Sequence, residues 1–176
     1  MHRAHRAIPF VLALSAAPWL ACCTDGNASR GEGALQGFGP ERLSVHPLTR
    51  FSTDAAGQPV IVCHFELRDR YGQLVRALGL VQCELFRPGS EQPDGTQLQD
   101  LVWRIDLTKP EENARQFDDL VTRTYTLSLG GLPEWLLRWR ADEDAAGTVS
   151  PTLRVTFYPG VHGDGPPRED VLRLSR

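Results

Sequence analysis

Two pairs of cysteines carry the residues best suited to covalent chemistry in this chain. Cys22 and Cys23 stand side by side after Leu20-Ala21, at the end of an apolar run from Ile8 to Ala21 that follows the basic residues Arg3 and Arg6. A basic start, a short apolar stretch and small residues before a cysteine have the layout of a bacterial secretory signal whose cleavage leaves a lipid-bearing cysteine. Cys23 as the acceptor places leucine three positions before it, where such signals favour it. Cys22 would place Trp19 there, a poorer fit, so Cys23 is the expected acceptor and Cys22 the alternative. The apolar run is broken by Pro9 and Pro18 and falls short of the ~20 apolar residues a spanning helix needs. An ordinary cleaved signal with two incidental thiols is the competing reading.

Cys63 and Cys83 form the second pair. Both fall on the apolar parity of their segments, and an exported protein folds where disulfides persist. Two readings stand: a disulfide, which by closing a twenty-residue loop would add ~3 kcal/mol in the chain-entropy model, or two buried thiols acting as small apolar residues. A metal site from Cys63, His64 and Cys83 fails on geometry, because neighbouring strand residues point to opposite faces; no Cys-x-x-Cys spacing occurs either. No metal and no other cofactor is expected.

Other polar groups point less clearly to a reaction. Asp118-Asp119 and Asp142-Glu143-Asp144 are acidic loops that read as solvated faces, with calcium as the longer shot. There is no Gly-x-Ser-x-Gly elbow, no His-Glu-x-x-His and no phosphate-cradling glycine loop, so no catalytic residues are assigned. His46, His64 and His162 read as surface or packing residues. Arg123 shares the parity of Val121, Tyr125 and Leu127, which would turn a charge inward unless it lies beyond the buried zone; a structural ion pair with Asp118 or Asp119 and a recognition role are also open.

Composition narrows the partners. Nineteen basic residues less Arg3 and Arg6 leave seventeen against twenty-two acidic ones, a formal charge of −5 for the chain after its signal. Lys109 is the only lysine and the arginines are scattered, so no basic surface for nucleic acid is expected.

The elements that hold these residues read as strands. Residues 1–23 are the signal and lipid site, and residues 24–40 a tether that opens TDGNASRGEGALQGFG, with too few apolar residues to fold. Its root-mean-square reach is roughly 20–24 Å. Residues 41–176 form one domain. Apolar residues then recur at every second position: Leu43 and Val45; Ile61 to Leu67; Val81 to Leu85; Leu101 to Ile105; Tyr125 to Leu129; Leu153 to Phe157; and Val171 to Leu174. One apolar and one polar face per strand predicts an all-β antiparallel sandwich of about seven strands, with threonines 122, 124 and 126 on the wet side. Pro47 marks an edge. Two short helices interrupt the strands. One opens at the capping-box spacing Thr108 to Glu111 and ends by Phe117. The other starts near Pro133 and puts Trp135 and Trp139 on one face, either as a lid over the core or as an aromatic platform for a sugar.

Leu43 to Arg50 (LSVHPLTR), Leu67 to Gly79 (LRDRYGQLVRALG), the strand after it and Thr122 to Tyr125 (TRTY) resemble a group of uncharacterised predicted bacterial lipoproteins of planctomycete type. The resemblance runs from Leu43 to Phe157. It implies a lipid-anchored β-sandwich, immunoglobulin-like or C2-like, and brings no activity, cofactor or catalytic residues with it. The expected function is a non-enzymatic envelope protein, held to a membrane by its N-terminal lipid, whose domain contacts an envelope protein partner. A carbohydrate- or calcium-binding module is the alternative, and a hydrolase ranks last.

Overall fold

The computed structural model describes residues 38–91, 97–142 and 149–176. Its elements run β1 (Arg42–Val45), β2 (Arg50–Thr53), β3 (Pro59–Arg68), β4 (Gly79–Glu91), β5 (Gln97–Asp106), α1 (Pro110–Gln116), β6 (Tyr125–Leu129), α2 (Glu134–Ala141), β7 (Thr152–Pro159) and β8 (Arg168–Arg173). Every pairing between these strands is antiparallel.

Register shows how the first sheet is built. Phe65 pairs with Val45 of β1 and with Tyr125 of β6, while Ile61 pairs with Phe51 of β2 and with Leu129. A strand has two hydrogen-bonding edges, so β1 and β2 must share one edge of β3 and β6 must take the other. β1 and β2 are therefore one edge strand broken at residues 46–49, and Pro47 sits in that break. The second sheet has the order β5-β4-β7-β8. Strands one, two, three and six thus face strands four, five, seven and eight in a two-sheet antiparallel sandwich.

Alternation in the sequence becomes the two inner faces. Ile61, Cys63, Phe65 and Leu67 meet Val81, Cys83, Leu85, Leu153, Val155 and Phe157 in one core, all of them buried. The all-β antiparallel sandwich is as predicted. β2 is a strand beyond the seven predicted, because its four residues hold only Phe51 as a large apolar group and show no period. Pairing to β3 makes it a strand.

Two local expectations are corrected. The capping box does not form: Lys109 is the N-cap of α1 and provides no side-chain cap. Thr108 instead gives both its hydroxyl and its backbone N–H to Asp106 Oδ1, at 2.6 and 2.9 Å. Thr124 is not on a wet face but fully buried. At the break, Thr49 Oγ1 stands in for a strand partner along the edge of β3: it donates to the carbonyl of His64 and accepts from its N–H.

The sandwich has two distinct ends. At one, β1 begins, β3 passes to β4, β5 passes through α1 to β6, and β7 turns to β8. Arg42 pairs with Arg68 there, Gly79 with Pro159, and Gly79 exchanges hydrogen bonds with Leu107. Arg168 at the start of β8 reaches Pro40 O and Glu41. We call this the proximal end, since the chain arrives at β1 through it. Gly79 is needed there, because a Cβ would lie 2.4 Å from Tyr158 O and 2.6 Å from the Phe157 ring. The distal end is closed by α2, whose Leu136 is buried in the core.

Candidate functional site

Cys63 and Cys83 face each other from the middles of β3 and β4. Both are fully buried free thiols. Their mutual hydrogen bond, helped by burial, pushes the Cys83 thiol far above the ordinary range. Thiolate is the reactive form, so the Cys83 thiol is chemically quiet in the folded chain. His64 points to the opposite side of β3, where its Nδ1 meets Thr124 Oγ1 at 3.1 Å and Thr126 Oγ1 at 3.2 Å. No group of three or more metal-ligating side chains occurs among the described residues.

A hydrogen-bonded chain continues from His64. Thr124 Oγ1 lies 2.8 Å from Thr122 Oγ1, which donates to Asp118 Oδ2 at 3.0 Å. An aspartate, two hydroxyls and a histidine in sequence resemble a proton relay. His64, however, is only 7% exposed, and its Nδ1 is engaged by two threonines. Burial, and then the nearby charges of Arg50 and His46, lower the His64 pKa below 6.5, while Asp118 raises it. His64 is therefore a neutral group that ties β6 and the residue 46–49 break to β3, not a base presented to a substrate.

Trp135 and Trp139 both rest against the core. Trp135 donates its ring N–H to Asp100, and the Arg87 guanidinium lies 4.8 Å from its ring centroid. Arg176 lies 4.8 Å from the Trp139 ring, which also contacts Phe51. Stacking sugars need a bare aromatic face. Here each ring has a guanidinium over it and core beneath it, the arrangement of a lid.

Arg123 is exposed rather than turned inward. β6 begins only at Tyr125, so strand parity does not reach back to Arg123 or Val121, and Arg123 takes a left-handed backbone with φ 55°. Neither aspartate pairs with it. Asp119 binds Arg76 at 3.1 Å. Asp118 accepts the N–H groups of Leu120, Val121 and Thr122 at 3.0–3.1 Å, which holds its carboxyl at about 2. Arg123 lines a cleft of about 370 Å³ with Leu74, Val75, Arg76, Phe117 and Asp119.

Sequence reasoning missed two features of this end. The first is Leu120 and Val121, 93% and 84% exposed at the tip of the loop that Asp118 organises. Two adjacent apolar residues between Asp118-Asp119 and Thr122-Arg123 were the available signal. The second is a clamp in which Tyr125 Oη accepts the Ala77 N–H while Asn113 Nδ2 donates to Ala77 O and Leu107 O. No spacing rule announces it.

Cys22, Cys23, residues 24–37 of the tether and the acidic residues Glu143 and Asp144 lie outside the described residues. No protein-family profile matches the chain, and no curated protein is significantly similar to it.

Proposed function

We propose that this chain is an exported envelope protein, anchored by an N-terminal lipid on Cys23, whose non-enzymatic sandwich contacts an envelope partner in a structural or accessory role. The observation that carries this reading is the order of residues 3–23: basic, then apolar, then Leu20-Ala21 before the cysteines. The fold is compatible with it. The described core is assembled from residues between Leu43 and Leu174, so a sandwich forms downstream of the anchor. The polar groups that might have done chemistry are spent on structure. His64 binds threonines, Asp118 binds backbone N–H groups, Asp119 binds Arg76, and buried Glu84 binds Arg154 at 2.8 Å. The likeness to predicted planctomycete-type lipoproteins points the same way. With both tryptophans covered, nothing specific favours the carbohydrate reading.

Radiolabelled palmitate supplied to a bacterial host expressing the full chain tests the anchor. Wild type takes up label, and Cys23→Ser abolishes it while Cys22→Ser does not. Label absent from the wild type would overturn the reading; label lost only with Cys22→Ser would move the acceptor by one residue. Crosslinking in the living host followed by mass spectrometry then identifies the partner.

A further inference from the structure

We propose that the proximal end of the sandwich rests on the membrane surface, with Leu120 and Val121 entering its interfacial layer and orienting the anchored domain. The inference rests on the lipid anchor of the preceding section. Its basis is where the exposed apolar groups lie. Six apolar side chains among the described residues are at least 60% exposed: Phe38, Tyr71, Leu120, Val121, Val149 and Val161. All but Val149 sit at the proximal end, in the segment leading to β1, the β3–β4 connection, the loop before β6 and the β7–β8 turn.

The loop before β6 is built to present its tip. A solvated turn favours small polar residues at its outermost positions. This one places leucine and valine there and fixes them from behind with four hydrogen bonds to Asp118, three from backbone N–H groups and one from the Thr122 hydroxyl. At the same end, Phe38 and Tyr71 are in ring contact at 6.0 Å, with Arg70 over the tyrosine. Aromatic rings with a polar tip prefer the membrane interface, and arginine keeps its charge at headgroup level.

Covalent reach chooses the occupant. Fifteen links join Cys23 to Phe38, and a flexible tether of that length has a root-mean-square reach of roughly 20 Å. The distal end is further by the length of β3, whose ten residues cover roughly 33 Å. A lipid on Cys23 therefore brings the apolar end to the bilayer first. The charges at this end are of both signs, with Asp119 on Arg76 and Glu41 on Arg168, so the contact is apolar and not driven by anionic lipid.

The lipidated full-length protein is reconstituted in vesicles of phosphatidylethanolamine with a minor share of phosphatidylglycerol, with and without brominated acyl chains. Leu120→Trp is compared with Val149→Trp, the one strongly exposed apolar site at the distal end among the described residues. A ring held ~5–10 Å into the interface lies within reach of the bromines, so the added emission of Leu120→Trp is quenched roughly twofold more than that of Val149→Trp. Equal quenching in protein that carries palmitate would overturn this orientation and leave the anchor standing. Protein without palmitate would overturn both.

Discussion

Replacing Tyr125 by phenylalanine removes one oxygen from the proximal end and little else. The ring lies 4.9 Å from Phe65 in a stacked arrangement and 5.0 Å from Phe117 edge-on, contacts that phenylalanine keeps. The hydroxyl accepts the Ala77 N–H at 3.1 Å and has Ala77 O and Asn113 Oδ1 within 3.3 Å for its single proton. Without it the Ala77 N–H loses its acceptor and Asn113 Oδ1 loses a donor. Leaving buried groups unpaired costs about 1–3 kcal/mol, so we take ~2 kcal/mol. Unfolding entropy of ~2.1 cal/mol/K per residue converts this into a fall in Tm of about 7 °C for the 136 residues from Glu41 onward. Calorimetry and urea titration of Tyr125→Phe measure both quantities. Asn113→Ala belongs to the same network, so the double variant should lose less than the sum of the singles, by ~0.5 kcal/mol or more. The hydroxyl also supplies a pH signature. Burial raises its pKa above 10.0, so in alkali the unfolded chain ionises first and wild type loses stability where Tyr125→Phe does not. A Tm within about 1 °C of wild type, with additive singles, would refute the clamp.

Three further outcomes follow from the core and the outer face of β3. Refolding the reduced chain with oxidised glutathione should join Cys63 to Cys83 by thiol–disulfide exchange, releasing reduced glutathione, and raise stability by ~3 kcal/mol. Peptide mapping by mass spectrometry identifies the bond; its absence would leave the pair as packing thiols. The same oxidant added after folding should leave both thiols free, since the buried Cys83 yields no thiolate; rapid crosslinking would refute that. His64 has a folded pKa below 6.5, so as pH falls through 6.5 the unfolded chain takes up a proton that the folded chain refuses. Stability should therefore fall as pH drops below about 6.5, and His64→Gln should flatten the slope of unfolding free energy there; identical slopes would contradict the assignment.

Legibility in the sequence followed the range of the interaction concerned. Leu127, Val155 and Phe157 announced buried faces because each strand repeats the same apolar choice several times, and repetition survives local noise. Phe51 stood alone, so β2 became visible only through its pairing with β3. His64 and Thr124 read as outer-face residues and are so in direction. Their burial accompanies a contact between residues far apart in number, His64 Nδ1 with Thr124 Oγ1 at 3.1 Å. Arg123 lies beyond the buried zone, one of the alternatives its parity left open, because β6 starts only at Tyr125 and Arg123 itself is left-handed. The cysteine pair was placed on the right faces, but only the packing of two sheets brought the thiols together.

By itself the sequence determined what depends on neighbours along the chain: the two-residue period, the polar turns and hence an antiparallel sandwich. The tertiary structure alone decided what depends on residues far apart in number. It divided the strands between the sheets and covered Trp135 and Trp139 with arginines. It also gathered Phe38, Tyr71, Leu120, Val121 and Val161 at one end. Periodicity reports which face a residue takes; only closure of the chain reports what that face meets.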